Sequence, residues 1–159
     1  MINIWGPKAW KLIHCTAQGY PDNPTEEDKH NFKSFYYRLP YILPCSMCKD
    51  HFMYELRNNP IEMHLSSRKN IKKWLYNLHN IVNKRLNKQV LSYKDADKIY
   101  RKKIYIDDIN QFIIFIKKQV QCGELKLEDL NAMLFYLNKI MPTFSCYSGG
   151  VARHRYDIL

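Results

Sequence analysis

The sequence predicts an all-α protein, and three observations carry that expectation. Apolar residues recur at intervals of three and four, as in Ile71, Leu75, Leu78, Val82 and Leu86, the spacing that lines one face of a helix. Proline, glycine and short hydroxyl or acidic residues stand where helices begin and end. The apolar–polar alternation of a half-buried strand is almost absent.

The elements follow in order. Pro7 suits the first turn of a helix carrying Trp10, Ile13, His14 and Ala17, which Gly19-Tyr20-Pro21 stops. Thr25 with Asp28 resembles a capped start, and Glu26 and Glu27 suit the positive end of the helix dipole. That second helix would place Phe32, Phe35, Tyr36 and Leu39 inward and end before Pro40. A third helix should begin at Cys45, because Pro44 cannot sit in a helix interior, and run to about Arg57 before Asn58-Asn59-Pro60 closes it. Ser66 or Ser67 can cap the long fourth helix, and Ser92 followed by Asp95 opens a short fifth through Ile99 and Tyr100.

This all-α core, residues 1–104, is followed by an extension, residues 105–159. Asp107 or Asp108 would cap a helix bearing Ile109, Phe112, Ile113, Ile116 and Val120, with Gly123 as its stop. Leu127, Leu130, Leu134, Leu137 and Met141 follow in a second helix stopped by Pro142. Two short amphipathic helices bury little alone, so the hairpin should mediate dimerisation or pack over the core. The tail TFSCYSGGVARHRYDIL carries no packing pattern and is expected to be mobile.

Composition narrows the function classes. At 159 residues with 46% hydrophobic and 14% aromatic content, the chain can bury a core without a disulfide framework. MINIWGPKAWKLIHC has neither an uninterrupted apolar stretch nor a small-residue cleavage site, so no signal peptide is expected. No segment approaches the roughly 18 apolar residues of a membrane span. Five cysteines, at 15, 45, 48, 122 and 146, are odd in number and irregular in spacing, which argues for a reducing compartment. The net charge of +10 resides in residues 66 to 103, which hold twelve Lys or Arg against two Asp. Such a segment is either a solvated basic face or a site for an anion, nucleic acid or cofactor phosphate.

Three constellations can carry chemistry. In LPCSMCKDHF, Leu43 to Phe52, the pair Cys45 and Cys48 opens a helix, where the dipole favours thiolate, and His51 follows on the same face. That arrangement suits disulfide exchange. As a second reading, Cys45, Cys48 and His51 could be three zinc ligands, completed by Cys122, Cys146 or another histidine, but zinc fingers usually present a second compact pair and none exists here. In WLYNLHNIVNKRLNK, Trp74 to Lys88, the residues His79, Asn80 and Asn83 form a polar stripe ending in Arg85 and Lys88, which is either a solvated helix flank, the commoner case, or a surface for a heterocycle with phosphates. In WGPKAWKLIH, Trp10 and His14 project together, as a core pair or as a surface for a planar ligand.

Taken together and in order, WGPKAWKLIH, PCSMCKDHF, and the HNIVNKRLNK helix followed by Tyr100 resemble the Erv/ALR family of FAD-linked sulfhydryl oxidases over about residues 4 to 103. The short core and missing cysteines are most similar to its viral branch. The resemblance implies a four-helix bundle with a short fifth helix that holds FAD non-covalently. It also implies a reaction that takes dithiol electrons through Cys45–Cys48 to FAD and then to O2, giving H2O2. On that reading Cys45 meets incoming thiolates and Cys48 faces the flavin, with His51 in support. Trp5, Gly6, Lys8, Trp10, His14, Trp74, His79, Asn80, Val82, Asn83, Arg85, Leu86, Lys88 and Tyr100 would hold the cofactor. Expected partners are protein thiols, including a thioredoxin-like intermediary, and a second copy in a homodimer. Nucleic acid is not expected, nor is a bound metal. The viral likeness implies the host cytoplasm and the virion. Unlike cellular members, the chain has no C-x16-C pair after the active site and no separate shuttle dithiol. A shuttle role for Cys146 with Cys122 competes with the plainer reading of an incidental thiol and a helix cysteine. A zinc-stabilised nucleic-acid-binding protein is the alternative from another class.

Overall fold

The computed structural model describes residues 2–101, 106–141 and 156–158. Its elements are α1 (Ile2–Gly19), α2 (Glu26–Arg38), α3 (Ser46–Asn58), α4 (Arg68–Arg85), α5 (Tyr93–Arg101), α6 (Ile106–Gln121) and α7 (Leu127–Ile140). Two 3₁₀ turns, Leu39–Ile42 and Ile61–His64, join α2 to α3 and α3 to α4. Among the described residues there is no strand. The all-α fold expected from the spacing is the fold observed.

Local chemistry sets the helix ends. The Asp28 N–H donates to Thr25 Oγ1 at 3.1 Å and the Thr25 N–H to Asp28 Oδ2 at 2.8 Å, a reciprocal box that opens α2. Ser67 rather than Ser66 caps α4, accepting from the Asn70 N–H at 3.3 Å. Ser92 accepts from the Asp95 N–H at 3.1 Å before α5. Gly123 takes φ +77° after α6, and its neighbour Glu124 donates back to the Gln119 carbonyl at 2.9 Å, closing the helix in a Schellman motif.

Two helix starts differ from expectation. Helix α1 begins at Ile2, so Pro7 lies inside it rather than in the first turn. The missing N–H removes one bond to the Asn3 carbonyl, which is tolerable because Asn3 and Pro7 both face solvent. Helix α6 begins at Ile106, so Asp107 and Asp108 fall within its first turn instead of capping it. There they still complement the dipole, and Asp108 also accepts from Lys11 Nζ of α1 at 2.8 Å.

Helix α1 packs against α4, α5 and α6, and every residue from Leu12 to Gly19 is buried. Helix α7 lies along α2 and the Leu39–Ile42 turn. The hairpin therefore packs over the core, and its Phe112, Ile116, Leu130, Met133 and Leu137 join Leu12, Phe32 and Phe35 in one apolar cluster. Val120 and Leu127, expected in the inner stripe, lie at its partly exposed margin. The tail's Thr143–Arg155 portion, with Cys146, lies outside the described residues. Tyr156 is held, its N–H donating to Asn138 Oδ1 at 2.8 Å and its hydroxyl to Asn110 Oδ1 at 2.8 Å.

Candidate active site

Cys45 and Cys48 form a disulfide at the amino terminus of α3, with Cα atoms 5.2 Å apart. Cys45 is the N-cap residue: its extended backbone ends the Leu43-Pro44 approach, and its sulfur accepts from the Cys48 N–H at 3.2 Å. Pro44 favours this start, since the residue before a proline is pushed out of the helical region, and Leu43 is extended. Both cysteines are partly exposed. The sulfurs thus sit among the unsatisfied N–H groups of the helix, where negative charge on a thiolate is favoured.

The disulfide opens on a cleft of about 580 Å³ between α1, α3 and the C-terminal half of α4, closed at one side by Tyr100 of α5. Of the residues named from the sequence, Trp5, Gly6, Trp10, Cys45, Cys48, His51, His79, Val82, Asn83, Arg85, Leu86, Lys88 and Tyr100 line it. The walls are mainly apolar and aromatic, with Arg85 and Lys88 supplying positive charge at one end. The volume falls within the range of about 300–1,000 Å³ usual for pockets that enclose organic ligands.

An aromatic cluster forms one wall. Trp10 stacks on His79 with ring centroids 3.8 Å apart, and Tyr100 stacks on His14 at 3.8 Å. His14 Nε2 and His79 Nδ1 share a hydrogen bond of 2.9 Å. Burial, reinforced by the charge of Lys88, pushes His79 down to about 4. Burial, then His79 and Lys72, holds His14 well below the ordinary imidazole range. Both rings are therefore neutral at pH 7.

Four of the named residues stand elsewhere. His14 does not line the cleft but touches three residues that do, hydrogen-bonding His79, stacking on Tyr100 and packing near Trp10. Trp74 is in the core, its indole N–H donating to the Asn59 carbonyl at 2.9 Å. Asn80 clamps a loop: its amide donates to the Leu91 carbonyl at 2.9 Å and accepts from the Leu91 N–H at 3.2 Å. Lys8 is half-buried on α1 and does not line the cleft. Conversely, Ile2, Pro7, Ala9, Lys11, Ile13, Leu43, Met47, Phe52, Glu55 and Leu78 line it without having been singled out. Glu55 was findable, since it follows Cys48 and His51 at intervals of seven and four on one face of α3.

The position of Lys88 depends on how α4 ends. Asn87 adopts φ +52°, its N–H donates to the Lys84 carbonyl at 3.1 Å, and the Lys88 N–H donates to the Asn83 carbonyl at 2.8 Å. This is again a Schellman motif, with asparagine in the left-handed position. It fixes Lys88 beside Arg85 at the cleft, and the Asn80 clamp then ties down the strand of chain that follows.

The family model described as Erv1 / Alr matches residues 7–105, which contain the disulfide and nearly all of the cleft. The chain belongs to the Erv1/Alr family. Among Erv1/Alr relatives, a probable FAD-linked sulfhydryl oxidase of Acanthamoeba polyphaga mimivirus is 41% identical over 93 residues, 58% of this chain and 65% of that protein. An FAD-linked sulfhydryl oxidase of African swine fever virus is 34% identical over 100 residues, 63% of this chain and 82% of that protein. The crystal structure of the FAD binding domain of Erv1 from Saccharomyces cerevisiae is similar with a TM-score of 0.58 and 31% identity, covering 63% of this chain and 93% of that one. The matched segment is thus just under two thirds of the mimivirus protein's length, and the α6–α7 hairpin lies beyond the Erv1/Alr match.

The residues present fit an FAD. Aromatic rings and apolar walls suit planar ring systems, and Arg85 and Lys88 suit a pyrophosphate. Among the described residues, no group of three metal-ligating side chains stands close enough to hold a metal ion. None of their helices is long and apolar enough to cross a membrane.

Proposed function

We propose that this chain is an FAD-dependent thiol oxidase that forms disulfides in protein substrates, with the net reaction 2 R-SH + O2 → R-S-S-R + H2O2. The observation that carries the reading is the Cys45–Cys48 disulfide at a helix amino terminus, opening directly onto a cleft suited to a flavin dinucleotide. The family membership and the names of its relatives support it. Nothing in the comparisons supports a nucleic-acid-binding role.

The protein's own steps follow from sulfur chemistry. A substrate thiolate attacks Cys45 Sγ, the Cys45–Cys48 bond breaks, and Cys48 leaves as a thiolate. A second substrate thiolate attacks the substrate sulfur of the mixed disulfide and releases Cys45, so the substrate leaves oxidised and the protein keeps two electrons as a dithiol. Unmet N–H groups at the start of α3 stabilise both thiolates, and this lowers the barrier for Cys48 as leaving group. Trp10, His79 and Tyr100 would hold planar rings, while Arg85 and Lys88 would neutralise phosphates. His51 adds an imidazole to the cleft one turn beyond Cys48. Bound FAD supplies a two-electron acceptor for the dithiol and a donor to O2. Assignment of Cys45 as the outer and Cys48 as the inner sulfur rests on the family resemblance and on the placement of Cys45 at the N-cap.

The finer partner and location are part of the same proposal. Action in the host cytoplasm and in virions, on protein thiols or through a thioredoxin-like intermediary, is proposed on the likeness to viral proteins alone. A homodimer is proposed on the family resemblance alone. The purified protein should carry one FAD per chain and consume O2 with dithiothreitol while releasing an equal amount of H2O2. A colourless protein that takes up no FAD would overturn the reading.

A further inference from the structure

The Erv1/Alr cleft described above has one feature that its expected cargo does not call for. Glu55 is the one carboxylate among the described residues lining it. Its Oε1 stands 3.8 Å from Nη2 of Arg85, with side-chain exposures of 16% for Glu55 and 33% for Arg85. The pair spans the cleft from α3 to the end of α4. Of the other cleft cations, Lys11 is committed to Asp108 at 2.8 Å, which leaves Arg85 and Lys88 at this end.

A partly desolvated carboxylate and a dianionic pyrophosphate cannot both have full use of the same guanidinium. Their mutual repulsion is also stronger in a cleft than in water, because the local dielectric is lower. We infer that Glu55 is a built-in competitor for the cofactor: it occupies Arg85 in the free protein and yields it when the phosphates enter. This rests on the reading of the cleft as an FAD site. Glu55 is then a positioning residue that sets how tightly the cofactor is held. The two states differ in which anion Arg85 faces, and the exchange forms and breaks no covalent bond.

The test is equilibrium binding of FAD to apo-protein, for wild type, Glu55→Gln and Glu55→Ala. Glu62→Gln serves as a control, since Glu62 pairs with Lys33 at 3.2 Å and does not line the cleft. Removing the Glu55 charge should lower the Kd about tenfold at about 0.02 M salt, and the gain should shrink toward unity at about 0.5 M as ions screen the repulsion. The control should move little. An unchanged or higher Kd in both Glu55 variants overturns the inference, and so does a gain independent of salt or one matched by the control. A wild-type protein that binds no FAD overturns the function reading, and the inference falls with it. Binding by wild type with no response at Glu55 overturns the inference alone.

Discussion

His79 sits between Trp10 and His14, stacked on one and hydrogen-bonded to the other, and its charge state can be read from stability. Its folded-state value is pushed from 6.5 down to about 4, so the folded protein keeps it neutral where the unfolded chain would protonate it. The resulting stability is complete above about pH 6.5 and drains away as pH falls toward about 4. His14, also held low, acts in the same direction. The apo-protein's Tm should therefore drop between these limits, and His79→Gln should flatten the slope over that interval. Equal slopes for wild type and variant would show that His79 is not the neutral ring described here.

Among the elements, the end of α4 matters most, because it converts a backbone turn into the placement of two cations. Asn87 must hold φ +52°, which a β-branched side chain resists and glycine accepts freely. Asn87→Val should cost about 1–2 kcal/mol of stability and weaken FAD binding by displacing Lys88. Asn87→Gly should preserve both within error. Thermal unfolding and FAD titration of the two variants check this, and a harmless valine would sink it. The sequence showed the apolar stripe of α4 and its cap region plainly, because three–four periodicity and hydroxyl caps are local signals. It did not show that Asn80 serves the loop, since its partner is the backbone of Leu91. Nor did it separate Trp74 from the cleft residues: a tryptophan beside a polar stripe looks the same in sequence whether its indole meets a ligand or the Asn59 carbonyl.

At the scale of the molecule, the helical core was legible from periodicity, and the cleft from the family resemblance of three ordered motifs. The placement of the hairpin was not. An amphipathic pair with a strong inner stripe needs a covering surface, but that need does not say which one. The answer lies in α1 and α2, whose outward faces are apolar enough to receive α6 and α7, so that Phe112 and Leu137 enter the same cluster as Leu12 and Phe35. Helix α1, which carries Trp5 and Trp10, packs against both α4 and α6. The cleft thus sets that helix against the disulfide at the start of α3.

The central claim of the proposed function is that Cys45–Cys48 would carry thiol electrons to an FAD in the cleft. Anaerobic mixing with dithiothreitol, followed at the flavin absorbance, tests it in wild type and Cys48→Ser. Both proteins should be yellow with equal FAD content; wild type should bleach within seconds, while the serine variant should stay oxidised or bleach at least about a hundredfold more slowly. Bleaching of Cys48→Ser at the wild-type rate would contradict the account.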